Sequence, residues 1–183
     1  MITNNLKKIM FSIIAGSSAT SYRETELRAT LVDTSGANVS YVGRTMNNTS
    51  TNAAKPFGAL INSFNNMATN SGRLGTTFVK VGTGTTEATE SDYSLEVENT
   101  DVTCVTASCA TSGNITKVYT ATFSNPTEND VVITEIGLFG CFSTYANDTG
   151  DAPLNFMLDR TVLDTAITIP AGESKAITYE IGF

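Results

Sequence analysis

The chain has 183 residues, a formal charge of −7 and a pI near 4.5, with neither histidine nor tryptophan. An acidic surface repels nucleic acid and anionic membranes, so neither is expected as a partner. Without histidine the chain lacks the usual general base near neutral pH and the commonest metal ligand.

The N-terminal segment carries Ile2, Leu6, Ile9, Met10 and Ile13 at helical spacing. This stripe predicts a short amphipathic helix, capped by Thr3 or Asn4 and ending near Gly16. Residues 1–16 are read as an N-terminal helical arm whose stripe needs covering by this domain or by a neighbouring subunit. Lys7 and Lys8 ahead of Ile9–Ala15 loosely resemble a signal peptide, but the apolar run is too short to span a bilayer.

Residues Arg23 to Asp33 read as a strand with Leu27, Ala29 and Leu31 on one face. A turn at Asp33–Asn38 follows, with Gly36 supplying positive φ, and Val39–Arg44 returns. Pro56 to Met67 has apolar residues at 57, 60, 61, 64 and 67, which predicts a second short helix with Pro56 in its first turn. Thr77–Val81 is a strand running into Gly82-Thr83-Gly84-Thr85-Thr86. A glycine-rich loop after a strand can cradle phosphate, but no amphipathic helix follows and no lysine stands where a phosphate loop needs one. A tight structural turn is the expectation, with Tyr93 and Leu95 anchoring the irregular stretch behind it.

Asp101–Thr111 and Ile115–Ser124 read as a hairpin, and Pro126 stops the sheet. The stretch Val131 to Phe139 is apolar without clean alternation, which marks a strand covered on both faces. Glu135 breaks that run. Burying it unpaired costs several kcal/mol, so it requires a cation or backbone N–H donors, and Arg160 is the nearest late cation. Leu154–Leu163 is a further strand, and Ala166–Ile169 with Lys175–Ile181 forms a closing hairpin around Pro170–Glu173. About eight to ten short strands with few helices predict a mainly β chain. The expected architecture is one antiparallel β-sandwich domain over 1–183, jelly-roll or immunoglobulin-like, with a short N-terminal helix and one further short helix.

Cys104, Cys109 and Cys141 make an odd count, which argues against a full disulfide framework. Cys104 and Cys109 are five apart, so one continuous strand sets them on opposite faces. Free, half-buried thiols are the expectation, while a bridge from Cys141 to either remains open. No nucleophile is framed by a base, and the acids Glu87, Asp92, Glu135 and Asp159 form no marked pair. The reading is therefore not an enzyme, with no cofactor. Asp148 and Asp151 are calcium candidates, although they lack the oxygen spacing of a dedicated loop. Tyr22, Tyr41, Tyr119, Tyr145 and Tyr179 could form a sugar-binding platform, but strand tyrosines usually pack.

Three segments carry a resemblance. They are the opening Met1–Lys8, then Val81–Thr86 with Asp92–Glu96, and then Asn125–Pro126 through Glu135–Phe139, Leu158–Arg160 and Ile169–Glu173 to Ile177–Ile181. Together they resemble small β-rich virion structural proteins of tailed bacteriophages, of the crAss-like gut phage type. The resemblance implies a non-enzymatic structural component of the virion. An accessory protein on the outer particle surface is expected first, decorating or fastening the capsid or anchoring a head fibre. A tail or fibre component contacting the host surface is the alternative, and a carbohydrate-binding or carbohydrate-active module the third. Assembly in the host bacterial cytoplasm, other virion proteins as partners and a homo-oligomer, first of all a trimer, are further expectations. The residues expected to carry structure and assembly are Ile2, Leu6, Ile9, Ile13, Glu135, Ile136, Leu138, Phe139 and Arg160.

Overall fold

A computed structural model of the chain describes residues 1–15, 27–43, 67–69, 76–112, 116–143 and 153–182. Among these, one helix and eight strands occur in the order α1 (Asn4–Ala15), β1 (Leu27–Val32), β2 (Asn38–Gly43), β3 (Thr76–Gly82), β4 (Thr103–Ser112), β5 (Thr116–Ser124), β6 (Val131–Ser143), β7 (Pro153–Ile169) and β8 (Ser174–Gly182). The chain is mainly β. The strands form three antiparallel sheets: a β1-β2 hairpin, a β3-β6-β7 sheet and a β4-β5-β8 sheet. The second helix expected over Pro56–Met67 falls outside the described residues except for Met67, which makes an isolated bridge to Thr77.

One apolar cluster joins both three-stranded sheets. Val79 and Val81 from β3, Ile133, Ile136 and Leu138 from β6, and Phe156, Leu158 and Ile169 from β7 meet Tyr119, Ala121 and Phe123 from β5 and Ile177, Tyr179 and Ile181 from β8. Leu6, Ile9 and Leu31 join the same cluster, so the chain itself covers the described part of the α1 stripe. Full burial of each large aliphatic side chain contributes about 1.5–3 kcal/mol. Thr3 caps α1: its carbonyl accepts from Lys7 N at 3.1 Å and its hydroxyl from Leu6 N at 3.5 Å. Asn5 then fastens the helix to β1, because its side chain both donates to Val32 O (2.7 Å) and accepts from Val32 N (2.8 Å). Ile13 lies within α1, with its side chain outside the described set.

β6 is the middle strand of its sheet and is covered on two faces by this one chain. Its register against β7 shifts between Ile133 and Glu135. That bulge reverses the alternation. Ile133, Ile136 and Leu138 therefore all face the main core, while Phe139 and Cys141 face a second cluster with Phe78, Leu95 and Met157. Phe78 stacks on Phe139 with ring centroids 5.4 Å apart. Leu95 belongs to the irregular stretch after β3, so that stretch forms the lid of the second face. Neither face calls for a neighbouring subunit. Tyr93 instead lies against the turn at Gly36, where φ is +83° and a side chain would press on the Tyr93 ring at 3.2 Å.

Three sequence expectations are corrected. The 166–169 and 175–181 segments are not a hairpin. β7 runs unbroken to Ile169 and β8 crosses to pair with β5 in the other sheet. Cys104 and Cys109 do not face opposite ways, because the register shifts between Cys104 and Thr106. Both lie opposite core residues, Phe123 and Tyr119, and pack against the main cluster. Cys141 is fully buried rather than half-buried, and none of the three cysteines is in a disulfide.

Candidate functional site

The described residues bring their densest set of charges together where β6, β7 and the loop after β3 meet. Glu135 on β6 is wholly buried, and Arg160 on β7 is 3% exposed. Sequence reading paired them, and Arg160 Nε donates to Glu135 Oε2 at 2.8 Å. The backbone supplies the rest. Glu135 Oε1 accepts from Gly84 N at 3.0 Å and Val97 N at 2.8 Å, and Oε2 from Glu96 N at 3.1 Å. A buried carboxylate is tolerable when its charge is balanced and its lone pairs are filled, and four donors fill them here.

The rest of the guanidinium reaches outward. Arg160 Nη1 donates to Asp92 Oδ2 at 2.8 Å, and Nη2 donates to Thr86 O at 3.2 Å and Glu96 Oε2 at 3.5 Å. Glu96 accepts in turn from Thr85 N, Thr86 N and the Thr86 hydroxyl at 2.7–2.9 Å. Asp92 accepts from Thr89 N and the Thr89 hydroxyl. Burial alone would lower the Arg160 pKa, but its bonds to Asp92 and Glu135 outweigh burial and keep the group charged. Burial raises Asp92, yet the Arg160 and Thr89 bonds prevail and hold its carboxyl below the usual range. The Thr86 hydroxyl and amide lower Glu96 in the same way.

The glycines of Gly82-Thr83-Gly84 follow from this geometry. A Cβ on Gly82 would sit 2.5 Å from Glu135 Oε1, and one on Gly84 2.6 Å from the same atom. Only glycine lets the loop backbone approach the carboxylate closely enough to donate to it. The loop that a phosphate site would have used is thus filled by the protein's own anion. Thr134 completes the closure, its hydroxyl donating to Gly84 O at 2.9 Å. The arrangement is a clamp that holds residues 83–98 over the second face of β6.

A second, smaller group lies on the far side of Arg160. Asp159 accepts from the Tyr179 hydroxyl, which also bonds Thr161, and lies 3.4 Å from the Met1 α-ammonium. Burial pushes the Asp159 pKa up, against the pull of that ammonium. An open depression of about 410 Å³ adjoins it, lined by Glu87, Asp164 and Arg160 among others.

The expected acids therefore do not converge on a cleft. Glu135 and Asp92 join through Arg160, Asp159 turns to Tyr179, and Glu87 stands exposed. Tyr119 and Tyr179 are buried core residues, while Tyr22, Tyr145 and the Tyr41 side chain fall outside the described set, as do Asp148 and Asp151. No group of three metal-ligating side chains occurs among the described residues, and no described helix is long and apolar enough to cross a membrane.

Two contributors escaped sequence reading. Glu96 looked like one acid among many, and nothing local marks it as a partner of Thr85 and Thr86. Asn125 is wholly buried: its amide donates to Asn129 O, Ile169 O and Pro170 O at 2.8–3.2 Å and accepts from Thr127 at 2.7–3.0 Å. It pins two of the three places where the chain passes from one three-stranded sheet to the other, β5 to β6 and β7 to β8. Asn-Pro at the end of an alternating strand was the available signal. In comparisons with known proteins, no family model, no curated protein and no solved structure matches this chain.

Proposed function

We propose that this chain is a non-enzymatic structural component of a tailed-phage virion, an accessory protein on the outer particle surface. In that role it decorates or fastens the capsid or anchors a head fibre. Its two three-stranded sheets are read as the layers of one β-sandwich, sharing the main core. The observation that carries the reading is the clamp. The segments that carry the virion-protein resemblance, 81–86, 92–96, 135–139 and 158–160, are those that meet around Glu135 and Arg160. Their shared chemistry goes into holding a loop on a sheet. Charges that a hydrolase would turn toward substrate are spent on one another and on backbone amides.

A surface with charge −7 suits the outside of a particle better than contact with packaged genome. Other virion proteins and copies of itself are the partners, with assembly in the bacterial cytoplasm.

Cryo-electron microscopy of intact particles tests the proposal, together with rebinding of purified chain to particles that lack it. Density for the chain on the capsid exterior, with saturable rebinding there, is expected. Density at the tail with binding to host cells favours the host-contact reading. Turnover of capsular polysaccharide by the isolated chain, or its absence from purified particles, refutes the proposal.

A further inference from the structure

The two three-stranded sheets have four outer edges, and three are guarded. On β3, Ala68 N donates to Thr77 O at 2.8 Å and Asn99 N to Val81 O at 2.9 Å. On β7, Thr3 N donates to Leu158 O at 3.1 Å, Arg160 N to Met1 O at 3.2 Å and Thr34 N to Asn155 O at 3.1 Å. β8 carries Lys175 and Glu180 within its length, and charges on an edge discourage pairing. The fourth edge is β4, reading Thr-Cys-Val-Thr-Ala-Ser-Cys-Ala-Thr-Ser. It is ten residues long, uncharged and free of proline, and among the described residues only β5 pairs with it.

The side chains beside this edge are only partly covered. Cys104, Ala107 and Cys109 lie opposite the core residues Phe123, Ala121 and Tyr119, yet remain half-buried. Val105 is a large apolar side chain left 49% exposed.

We infer that β4 is a self-association edge, pairing antiparallel with β4 of a second copy about a two-fold axis. The pairing would join two β8-β5-β4 sheets into one six-stranded sheet. The chemistry selects a second copy. Identical strands related by a two-fold match donors to acceptors, since the antiparallel ladder is self-complementary. Two chains of charge −7 repel in general, but over 103–112 neither brings a charge. Side-by-side closure also covers Cys104, Ala107 and Cys109 without asking the fold to change.

The inference rests on the edge alone. A monomeric chain overturns it and leaves the virion proposal standing, whereas a dimer absent from particles does the reverse. The test is mass by light scattering and sedimentation across the micromolar range, with hydrogen exchange on the same samples. Wild-type chain should approach twice its 19.4 kDa as concentration rises, with amides of 103–112 becoming at least tenfold slower to exchange. Ser108→Lys with Ala110→Lys places charges on the solvent side of β4 and should return the chain to a monomer. Thr178→Lys on the β8 edge should leave the dimer intact. A monomer at every concentration, a trimer, or a dimer indifferent to the β4 lysines overturns the inference. So does exchange over 103–112 that ignores concentration, and that measurement needs no substitution, so it stands even if a variant misfolds.

Discussion

Glu135→Gln keeps the shape of the clamp and removes its charge, and its cost can be worked from the four donors around the carboxylate. Two donors, Gly84 N and Val97 N, point at Oε1, and two, Glu96 N and Arg160 Nε, point at Oε2. A glutamine must put its own NH2 in one of those positions. Either choice turns a donor toward two donors, and each buried donor left unsatisfied costs about 1–3 kcal/mol. The expected loss is therefore about 2–6 kcal/mol, centred near 4. For a chain of this size 1 kcal/mol moves the melting midpoint by about 2–4 °C, so a drop of roughly 8–16 °C is expected. Arg160→Met should cost about 3–5 kcal/mol, since it strands a buried carboxylate. The double variant should fall well short of the sum, with a coupling of about 1–3 kcal/mol, because each single change already disables the other partner. Circular dichroism melts and urea titrations at pH 7 measure all three. A Glu135→Gln midpoint within about 2 °C of wild type, or single effects that simply add, refutes the reasoning.

Gly84→Ala should lose about 2 kcal/mol or more, since its Cβ would stand 2.6 Å from both Glu135 Oε1 and Glu96 Cβ; urea unfolding reads the loss directly. Asn125→Ala should cost about 2–4 kcal/mol by removing the side-chain donor to Ile169 O and the acceptor for Thr127 N, while Pro170 O keeps Glu173 N, and hydrogen exchange should rise at the two crossings Asn125 pins. Acid should destabilise the chain through Asp92, Glu96 and Asp33, whose folded pKa values are lowered. Their contribution is complete above the ordinary carboxylate pKa and is lost as pH falls through the folded values. Asp92→Asn should flatten that acid limb in melts taken from pH 6 down to about pH 2.5. Asp159 acts in the opposite sense, because its folded pKa is raised, so protonating it on acidification favours the folded state.

The sequence by itself determined the local facts. Apolar and β-branched patterning marked α1 and the described strands, though it split β7 in two; Gly36 marked its turn, and an acid inside an apolar run demanded a cation or backbone donors, with Arg160 the nearest late cation. Those inferences need only the chain's own periodicity and the cost of an unpaired charge. Which strand lies beside which was another matter. The 170–173 turn carries the chain from one sheet to the other, although a short turn between two strands reads as a hairpin. The bulges at Cys104 and Ile133 reversed the faces of everything beyond them, and no residue there announces an extra position in the ladder. The lid over β6, with Glu96 and the paired glycines of its clamp, came from contacts dozens of residues apart in the chain. Side-chain period is a property of one strand, whereas pairing, bulge phase and closure are set by what the partner strand can bury. Only the tertiary structure holds that information.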